Sequence, residues 1–159
     1  MAQAILGLGT NLGNKMENLE SAIEALSLIP RTKVEQVSHF YETAPFQVPD
    51  EQDVYLNCCV KISTELNPHT LLGCCLGIEA AMGRKRLFRF CSRIIDIDLL
   101  IYDEVDCDDK DLTLPHPRMK ERAFVMVPLN DLCENQKFGN VDFAKELDIC
   151  DKSEIKLVK

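Results

Sequence analysis

Long apolar runs are missing from this sequence of 159 residues: no stretch of about 18 apolar residues occurs, so we expect no transmembrane helix. The first residues lack the basic stretch of a secretory signal peptide, so no export signal is expected. Basic residues are also few, because 18 Lys and Arg stand against 26 Asp and Glu, giving a net charge of −8. Proteins that bind nucleic acids or acidic membranes through general electrostatics usually carry the opposite sign, and we expect neither partner.

The cysteines are numerous but lack the spacings of known site types. Eight are present, none in a C-x-x-C pattern, and two pairs are adjacent at 58–59 and 74–75. Zinc ligands and thioredoxin-like redox sites need other spacings. Because no export signal is expected, we interpret these residues as reduced thiols that pack as small apolar side chains in a cytoplasmic protein.

Two further motifs are absent. Gly7, Gly9 and Gly13 do not have the spacing of a dinucleotide-binding loop. The acidic stretch 103–111 lacks the glycine and the final glutamate of a calcium-binding EF-hand loop, so we expect a solvated hairpin tip there. Repeats, linkers and low-complexity segments are also missing, and 46% of the residues are apolar. Residues 1–159 therefore predict a single globular domain.

The apolar patterns predict alternating strands and helices. Asn14 caps a helix that Pro30 ends, and Asn67 with the proline after it begins a second helix that Gly83 stops. Strands are predicted at 3–8, 33–42, 54–64 and 93–102. The resulting βαββαβ order is typical of an α+β, ferredoxin-like sandwich. A weakly patterned C-terminal extension follows it, with a short helix near 141–147.

The predicted strand 93–102 carries the residues most informative about chemistry. One of its faces is expected to be apolar throughout, with Ile95, Ile97, Leu99 and Ile101. Residues two apart on a strand point the same way and lie about 7 Å apart, so Asp96 and Asp98 project together. Adjacent carboxylates repel by about 2 kcal/mol at an effective dielectric of about 20 and are best tolerated around a cation. Oxygen ligands favour magnesium, and the alternative is a strand end with its acids in solvent.

A basic segment precedes this strand. Residues 84–93 contain five Lys and Arg and no acid, although the whole chain is acidic. Arginines bind phosphate oxygens through paired hydrogen bonds, while carboxylates hold the metal that bridges those oxygens. The two segments together predict a polyphosphate site, with a solvated basic turn or a nucleic-acid loop as the alternatives.

Two other places offer polar groups. His116 lies between two prolines and is followed by three basic residues including Arg122, although a lone histidine is more often structural. Tyr55 and Asn57 share the polar face of their predicted strand. There a ring could stack on a heterocycle and an amide could bind its edge.

Several motifs occur together in one order. The segment 89–100, RFCSRIIDIDLL, resembles the signature of the 6-hydroxymethyl-7,8-dihydropterin pyrophosphokinase family of folate biosynthesis. Further motifs similar to those of the family are GTNLG at 9–13, FYETAP at 40–45, YLN at 55–57, PH at 115–116 and RAF at 122–124. The resemblance covers nearly the whole chain.

The resemblance implies a reaction and its site. Members transfer the β,γ-pyrophosphoryl group of ATP to the hydroxymethyl oxygen of the pterin and release AMP, with two magnesium ions bound. The implied metal ligands are Asp96 and Asp98, which form the catalytic set together with Arg84 and Arg93. The implied ATP contacts are Glu79, Arg84, Arg86, Arg93, Leu99, His116 and Arg122. The implied pterin contacts are Thr43, Pro45, Phe46, Tyr55, Asn57 and Phe124, of which Tyr55 and Phe124 sandwich the ring.

The chain departs from the family pattern at several positions, including Phe90 and Leu76. Cys91 stands where Gly or Ala is usual, and Leu87 and Pro117 replace a basic residue and a tyrosine that are common there. These substitutions bear on nucleotide affinity and on the closure that we expect of the loops 43–53 and 84–93 when substrates bind. They do not bear on the type of reaction.

Two other protein classes have the same order of elements. An RNA-recognition module would need aromatic residues on its central strands and a basic face. A regulatory domain that binds a small effector would not need the aspartate pair and the basic segment together. We therefore expect an enzyme that acts on small molecules, as a monomer.

Overall fold

The computed structural model describes residues 1–44, 54–83 and 94–159. Its first part contains β1 (Ala2–Thr10), α1 (Lys15–Ser27), β2 (Thr32–Val37), β3 (Tyr41–Thr43), β4 (Tyr55–Thr64), α2 (Pro68–Ala81) and β5 (Asp96–Tyr102). Its second part contains β6 (Cys107–Asp108), β7 (Thr113–Leu114), a 3-10 turn (Met119–Glu121), α3 (Ala123–Asn130), β8 (Lys137–Phe138), β9 (Val141–Asp142), α4 (Ala144–Ile149) and β10 (Lys156–Leu157). The order of the first part matches the predicted βαββαβ order, except that the second predicted strand is divided into β2 and β3.

The main sheet is antiparallel in every described pairing and has six strands. Its order is β10-β3-β4-β1-β5, and β2 pairs with the part of β4 beyond β3. The two strands at its centre, β4 and β1, are joined along their whole lengths, from Ala2 opposite Thr64 to Thr10 opposite Leu56. This frame fixes the positions of side chains on three neighbouring strands.

The predicted caps begin both long helices. The Asn14 Oδ1 atom accepts a hydrogen bond from the Glu17 backbone N–H at 3.1 Å. Likewise, the Asn67 Oδ1 atom accepts one from the Thr70 backbone N–H at 2.9 Å. Such caps satisfy N–H groups that have no partner inside the helix. Gly83 follows the second helix with a φ of +83°, a left-handed conformation that favours glycine.

The helices α1 and α2 cover one face of the sheet, which we call the helix face. Its core contains Ala4, Leu6 and Leu8 of β1, with Leu56, Cys58, Val60 and Ile62 of β4, all buried. The opposite face carries a second core under α3, with Ile5, Cys59, Leu100, Ile101, Met126, Leu129 and Phe143. We call this the cavity face, because the second core covers only part of it.

A β-bulge changes which side chains of β5 share a face. Ile5 lies opposite Ile101 and Leu6 lies opposite Leu99, so Leu100 is an extra residue in the ladder. Beyond it, Ile101 joins the core of the cavity face. The predicted placement of Ile101 with Ile95, Ile97 and Leu99 was therefore wrong, because strict alternation does not survive the inserted residue.

The C-terminal part contains more structure than its sequence pattern indicated. The helix expected near 141–147 is present as α4, and the acidic stretch forms the exposed hairpin of β6 and β7. The helix α3 was missed, because four of its eight residues are buried and no polar stripe marks one side. Within the described ranges, each helix is too short or too polar for a transmembrane segment.

The cysteines that the structure describes are free thiols. Cys58, Cys59 and Cys75 are buried, which matches their interpretation as small apolar side chains. Burial raises the pKa of Cys58 and of Cys75 to about 12, so these thiols stay protonated at neutral pH.

Candidate active site

A cavity of about 280 Å³ opens on the cavity face, beside the second core. Its lining brings together residues that are far apart in the sequence. These are Gly7, Leu8, Gly9, Thr43, Ala44, Tyr55, Asn57, Cys58, Cys59, Asp96, Asp98, Leu100, His116, Arg122, Phe124 and Val125. Eight of the predicted site residues are among them.

Two glycines of β1 separate the polar walls of the cavity. Gly9 lies opposite Asn57 on one side and opposite Asp96 on the other. Gly7 lies opposite Asp98 in the same way. Since neighbouring strands are about 4.8 Å apart, each aspartate is about 10 Å from the β4 residue in its row. A Cβ atom at position 9 would lie 2.7 Å from the Asn57 Oδ1 atom, so only glycine leaves this amide in place. The sequence indicates these open positions only by the alternation of Gly7 and Gly9 along a predicted strand.

The β4 wall is arranged for a flat polar ring. The Asn57 side-chain amide donates a hydrogen bond to the Thr43 hydroxyl oxygen at 2.8 Å, and both residues are buried. This bond fixes the amide orientation and leaves the Thr43 hydroxyl hydrogen available to an acceptor. Tyr55 and Phe124 line the same cavity from β4 and from α3. The four residues combine hydrogen-bonding groups with two aromatic rings, as a heterocycle site requires.

The opposite wall carries the aspartate pair. Asp96 and Asp98 project from β5 toward the cavity, and Ile97 between them points into the core of the helix face. The Ile97 backbone N–H donates to the Glu79 carboxylate at 2.8 Å. Glu79 is only 5% exposed and does not line the cavity. Its hydrogen bond with Ile97 therefore positions the strand that holds both aspartates.

These carboxylates fit a hard divalent cation. They lie two residues apart on one face of a rigid strand and supply oxygen ligands only. The strand fixes their separation, and the cavity beside them leaves room for water and phosphate oxygens. Asp96 and Asp98 could therefore hold a hard divalent cation such as magnesium.

His116 lies near Asp98 in a defined orientation. Its backbone N–H donates to the Leu100 carbonyl at 2.8 Å, and its Nδ1 atom accepts from the Arg118 N–H at 3.2 Å. The proton of the neutral ring therefore lies on Nε2, the donor available to a ligand. Burial lowers the pKa of His116; Asp98 opposes this shift, whereas Arg122 and Arg118 reinforce it.

Arg122 brings a half-buried positive charge to the same place. Burial lowers its pKa, and Asp98 and Asp96 oppose the effect of burial. Its Nε atom is buried and has no hydrogen-bond partner within residues 1–44, 54–83 and 94–159. The guanidinium carbon lies 5.7 Å from the centre of the Phe124 ring, within reach of a cation–π contact. The side chain thus lies against the ring and also lines the cavity.

The remaining predicted residues lie elsewhere. Leu99 is buried in the core of the helix face, and its side chain does not line the cavity. Several predicted positions lie outside the described residues: Pro45, Phe46, Arg84, Arg86 and Arg93, together with Leu87 and Cys91. The same is true of nearly all of the loops 43–53 and 84–93, which we expect to close. Sequence reasoning missed Gly7, Gly9, Cys59 and Val125 as parts of the wall, because none of them carries a polar side chain that suggests a site.

Comparison with known proteins agrees with this arrangement. The model of the 7,8-dihydro-6-hydroxymethylpterin-pyrophosphokinase (HPPK) family matches residues 5–134. The chain belongs to this family. A 2-amino-4-hydroxy-6-hydroxymethyldihydropteridine pyrophosphokinase of Methylorubrum extorquens is 43% identical over 159 residues, which is 100% of both chains. The protein of the same name from Haemophilus influenzae is 37% identical over 92% of this chain and 91% of its own.

Solved structures share the fold of this HPPK family member. A structure of wild-type Plasmodium falciparum HPPK-DHPS with pteroate matches with a TM-score of 0.73 and 16% sequence identity. The match covers 92% of this chain and 42% of that one. The chain thus spans less than half the length of that solved chain, and the likeness concerns the fold.

Proposed function

We propose that this protein transfers pyrophosphate from ATP to 6-hydroxymethyl-7,8-dihydropterin, giving AMP and the dihydropterin pyrophosphate, in folate biosynthesis. Its enzyme class is that of a magnesium-dependent 2-amino-4-hydroxy-6-hydroxymethyldihydropteridine diphosphokinase. Family membership and relatives named as pyrophosphokinases support this reaction. The observation that carries it is one cavity with an amide and two aromatic rings on one wall and two carboxylates on the other.

The heterocycle wall binds the pterin. Asn57 and Thr43 form hydrogen bonds with the polar edge of the ring, while Tyr55 and Phe124 stack on its two sides. Asn57 and Asp96 lie about 10 Å apart on the two sides of Gly9. A pterin bound at Asn57 can therefore point its hydroxymethyl group toward the aspartate wall. Orientation of this kind supplies much of the rate enhancement in transfer reactions.

The phosphate wall neutralises and orients the triphosphate of ATP. Asp96 and Asp98 hold the magnesium, with two ions expected from the family resemblance, and bound magnesium stabilises charge on the phosphate oxygens. Arg122 and the Nε2–H of His116 bind phosphate oxygens from the same side. The contacts of Arg84, Arg86 and Arg93 with ATP stay predictions, as does that of Leu99. We assign Glu79 to positioning of β5 in addition to the predicted ATP contact.

The wider description of the protein is also proposed here. The central strand order, β3-β4-β1-β5 with α1 and α2 on one face, supports the ferredoxin-like description, extended by the C-terminal elements. A single domain over residues 1–159, a monomeric state, a cytoplasmic location and the absence of nucleic-acid partners stay predictions from the sequence. The RNA-module and effector-domain alternatives do not account for the joint presence of both polar walls.

A product assay tests the proposed reaction. Purified protein is incubated with ATP, magnesium and 6-hydroxymethyl-7,8-dihydropterin, and nucleotides are separated by chromatography. We expect AMP and dihydropterin pyrophosphate in equal amounts, and no AMP when the pterin is omitted. Formation of ADP would indicate transfer of one phosphoryl group, and AMP release independent of pterin would indicate hydrolysis. Either result would contradict the proposal.

A further inference from the structure

Three metal-ligating side chains meet on the surface away from the cavity. His69 lies in the first turn of α2, Cys107 lies on β6, and Asp109 lies in the turn that leads to β7. Their ligand atoms are all within 4.8 Å of one another. The His69 Nε2 atom is 2.7 Å from the Asp109 Oδ2 atom, and the Cys107 Sγ atom is 3.5 Å from the same oxygen. This cluster shares no residue with the lining of the cavity.

The Asp109 carboxylate is oriented by its own turn. Its Oδ1 atom accepts hydrogen bonds from the backbone N–H groups of Asp111 and Leu112, both at 2.9 Å. The turn occupies Oδ1 and directs Oδ2 at His69 and Cys107. One anionic oxygen is thus fixed beside an imidazole nitrogen and a sulfur.

Nitrogen, sulfur and oxygen in one cluster indicate a particular class of metal. Imidazole and thiolate favour zinc and its neighbours over magnesium or calcium, which take oxygen ligands. Zinc bonds of about 2.0–2.3 Å in a tetrahedron place neighbouring ligand atoms about 3.3–3.8 Å apart. The present separations need only small side-chain shifts to reach that range. We propose that His69, Cys107 and Asp109 bind one zinc-class divalent cation, with a water molecule as the fourth ligand.

Protons must rearrange when the metal binds. The Cys107 thiol loses its proton to the solvent and ligates as thiolate. The Nε2 proton that His69 donates to Asp109 in the metal-free protein also leaves, and the neutral ring then carries its proton on Nδ1 and ligates through Nε2. The side chains of His69 and Asp109 are 51% and 44% exposed, so the metal reaches the site directly from solvent. The hairpin and the residue before it also carry Asp106, Asp108 and Asp111, whose negative charges favour a cation there.

Occupation would link two elements that serve the active site. The first turn of α2 would be joined to the hairpin of β6 and β7. The same helix carries Glu79, which bonds to β5, and β7 leads within two residues to His116. A metal bound only by the folded protein stabilises it, so the melting temperature should rise with zinc.

Cobalt and zinc titrations test the site in the ligand-free protein. Cobalt(II) bound by a thiolate gives a charge-transfer absorption band, which we expect in wild type and in the control Cys150→Ser, whose cysteine is also partly exposed. Cys107→Ser should abolish the band. In calorimetry with zinc, Cys107→Ser and His69→Gln should each weaken binding by at least about tenfold, as loss of a ligand requires.

The outcomes distinguish this site from the aspartate pair of the cavity. Asp98→Asn should keep the cobalt band and the zinc affinity of wild type, whatever its effect on pyrophosphoryl transfer. Absence of the band in wild type, its persistence in Cys107→Ser, or equal zinc affinity in wild type and both ligand variants would overturn the proposal. A band lost in Asp98→Asn would also overturn it, by placing the metal in the cavity.

Discussion

The two faces of the central sheet are built by the same strands but have different tasks. On the helix face, β1, β4 and β5 present mainly apolar side chains, which α1 and α2 cover. On the cavity face, the apolar part lies under α3, and the part beyond it carries Asn57, Asp96 and Asp98 around two glycines. The difference shows that a strand can be committed to stability on one side and to ligand binding on the other. Substitutions on the two faces should therefore have separable effects.

The largest effect is expected from the aspartate pair. Asp96→Asn and Asp98→Asn each keep the shape of the side chain but remove one anionic metal ligand, so kcat should fall by about 10²–10³. The ligand-free melting temperature should stay level or rise, because a like-charged pair is relieved. Single-turnover rates at increasing magnesium concentration measure the change in catalysis, and thermal melting measures the change in stability. The exposed Asp148→Asn is the control, and turnover near wild type in both site variants would contradict the assignment.

The helix face should respond in stability alone. Leu19 of α1 is fully buried in its core, so Leu19→Ala should lower the free energy of unfolding by about 2–5 kcal/mol through lost transfer energy and a cavity. Denaturation by urea measures the change. The rate per folded molecule should match that of wild type, and a large loss of kcat at full folding would show that the two faces are coupled.

The aromatic part of the cavity should affect one substrate only. Phe124→Ala removes a ring that lines the cavity, and we expect pterin affinity to fall by at least about tenfold from lost stacking and burial. The affinity for a non-hydrolysable ATP analogue should change little. Calorimetry with each ligand separately makes the comparison. Equal losses for both ligands would mean that Phe124 supports the whole site as a packing residue.

A single methyl group at the floor of the cavity should have a smaller effect. Gly9→Ala places a Cβ atom 2.7 Å from the Asn57 Oδ1 atom, which must move and weaken about one hydrogen bond to the pterin. We expect a loss of about tenfold or less in pterin affinity. Gly73→Ala is the matched control, since nothing lies within 4 Å of its added Cβ atom and α2 should gain about 1 kcal/mol. Unchanged pterin affinity in Gly9→Ala would exclude Asn57 from recognition.

The smallest effect concerns adjacent thiols on opposite faces. Cys58 belongs to the core of the helix face and Cys59 to that of the cavity face, and burial raises the pKa of both. Iodoacetamide at pH 8 should leave both unlabelled in native protein and label both after unfolding. Mass spectrometry of peptides measures this, with the partly exposed Cys74 as reference. Rapid native labelling of Cys59 alone would show that reagents reach this thiol through the cavity or by opening of α3.

Elements with strong local signals could be predicted from the sequence alone. Asn14 and Asn67 capped helices as predicted, because a cap depends on neighbours within three residues. The pairing of Asp96 with Asp98 on one face followed from the two-residue period of a strand. The family motifs connect these residues with a reaction independently of their geometry.

The way in which these elements meet depends on the packing of the whole chain. The bulge at Leu100 moved Ile101 to the other core, and α3 formed where apolar residues gave no amphipathic stripe. The role of Gly9 depends on strands that are distant in sequence, with Asn57 on one side and Asp96 on the other. The meeting of His69 with Asp109 depends in the same way on the packing of a hairpin against a helix. Such contacts follow from the register and packing of the whole chain, because the free energy that selects them is collective and has no signature in a local window.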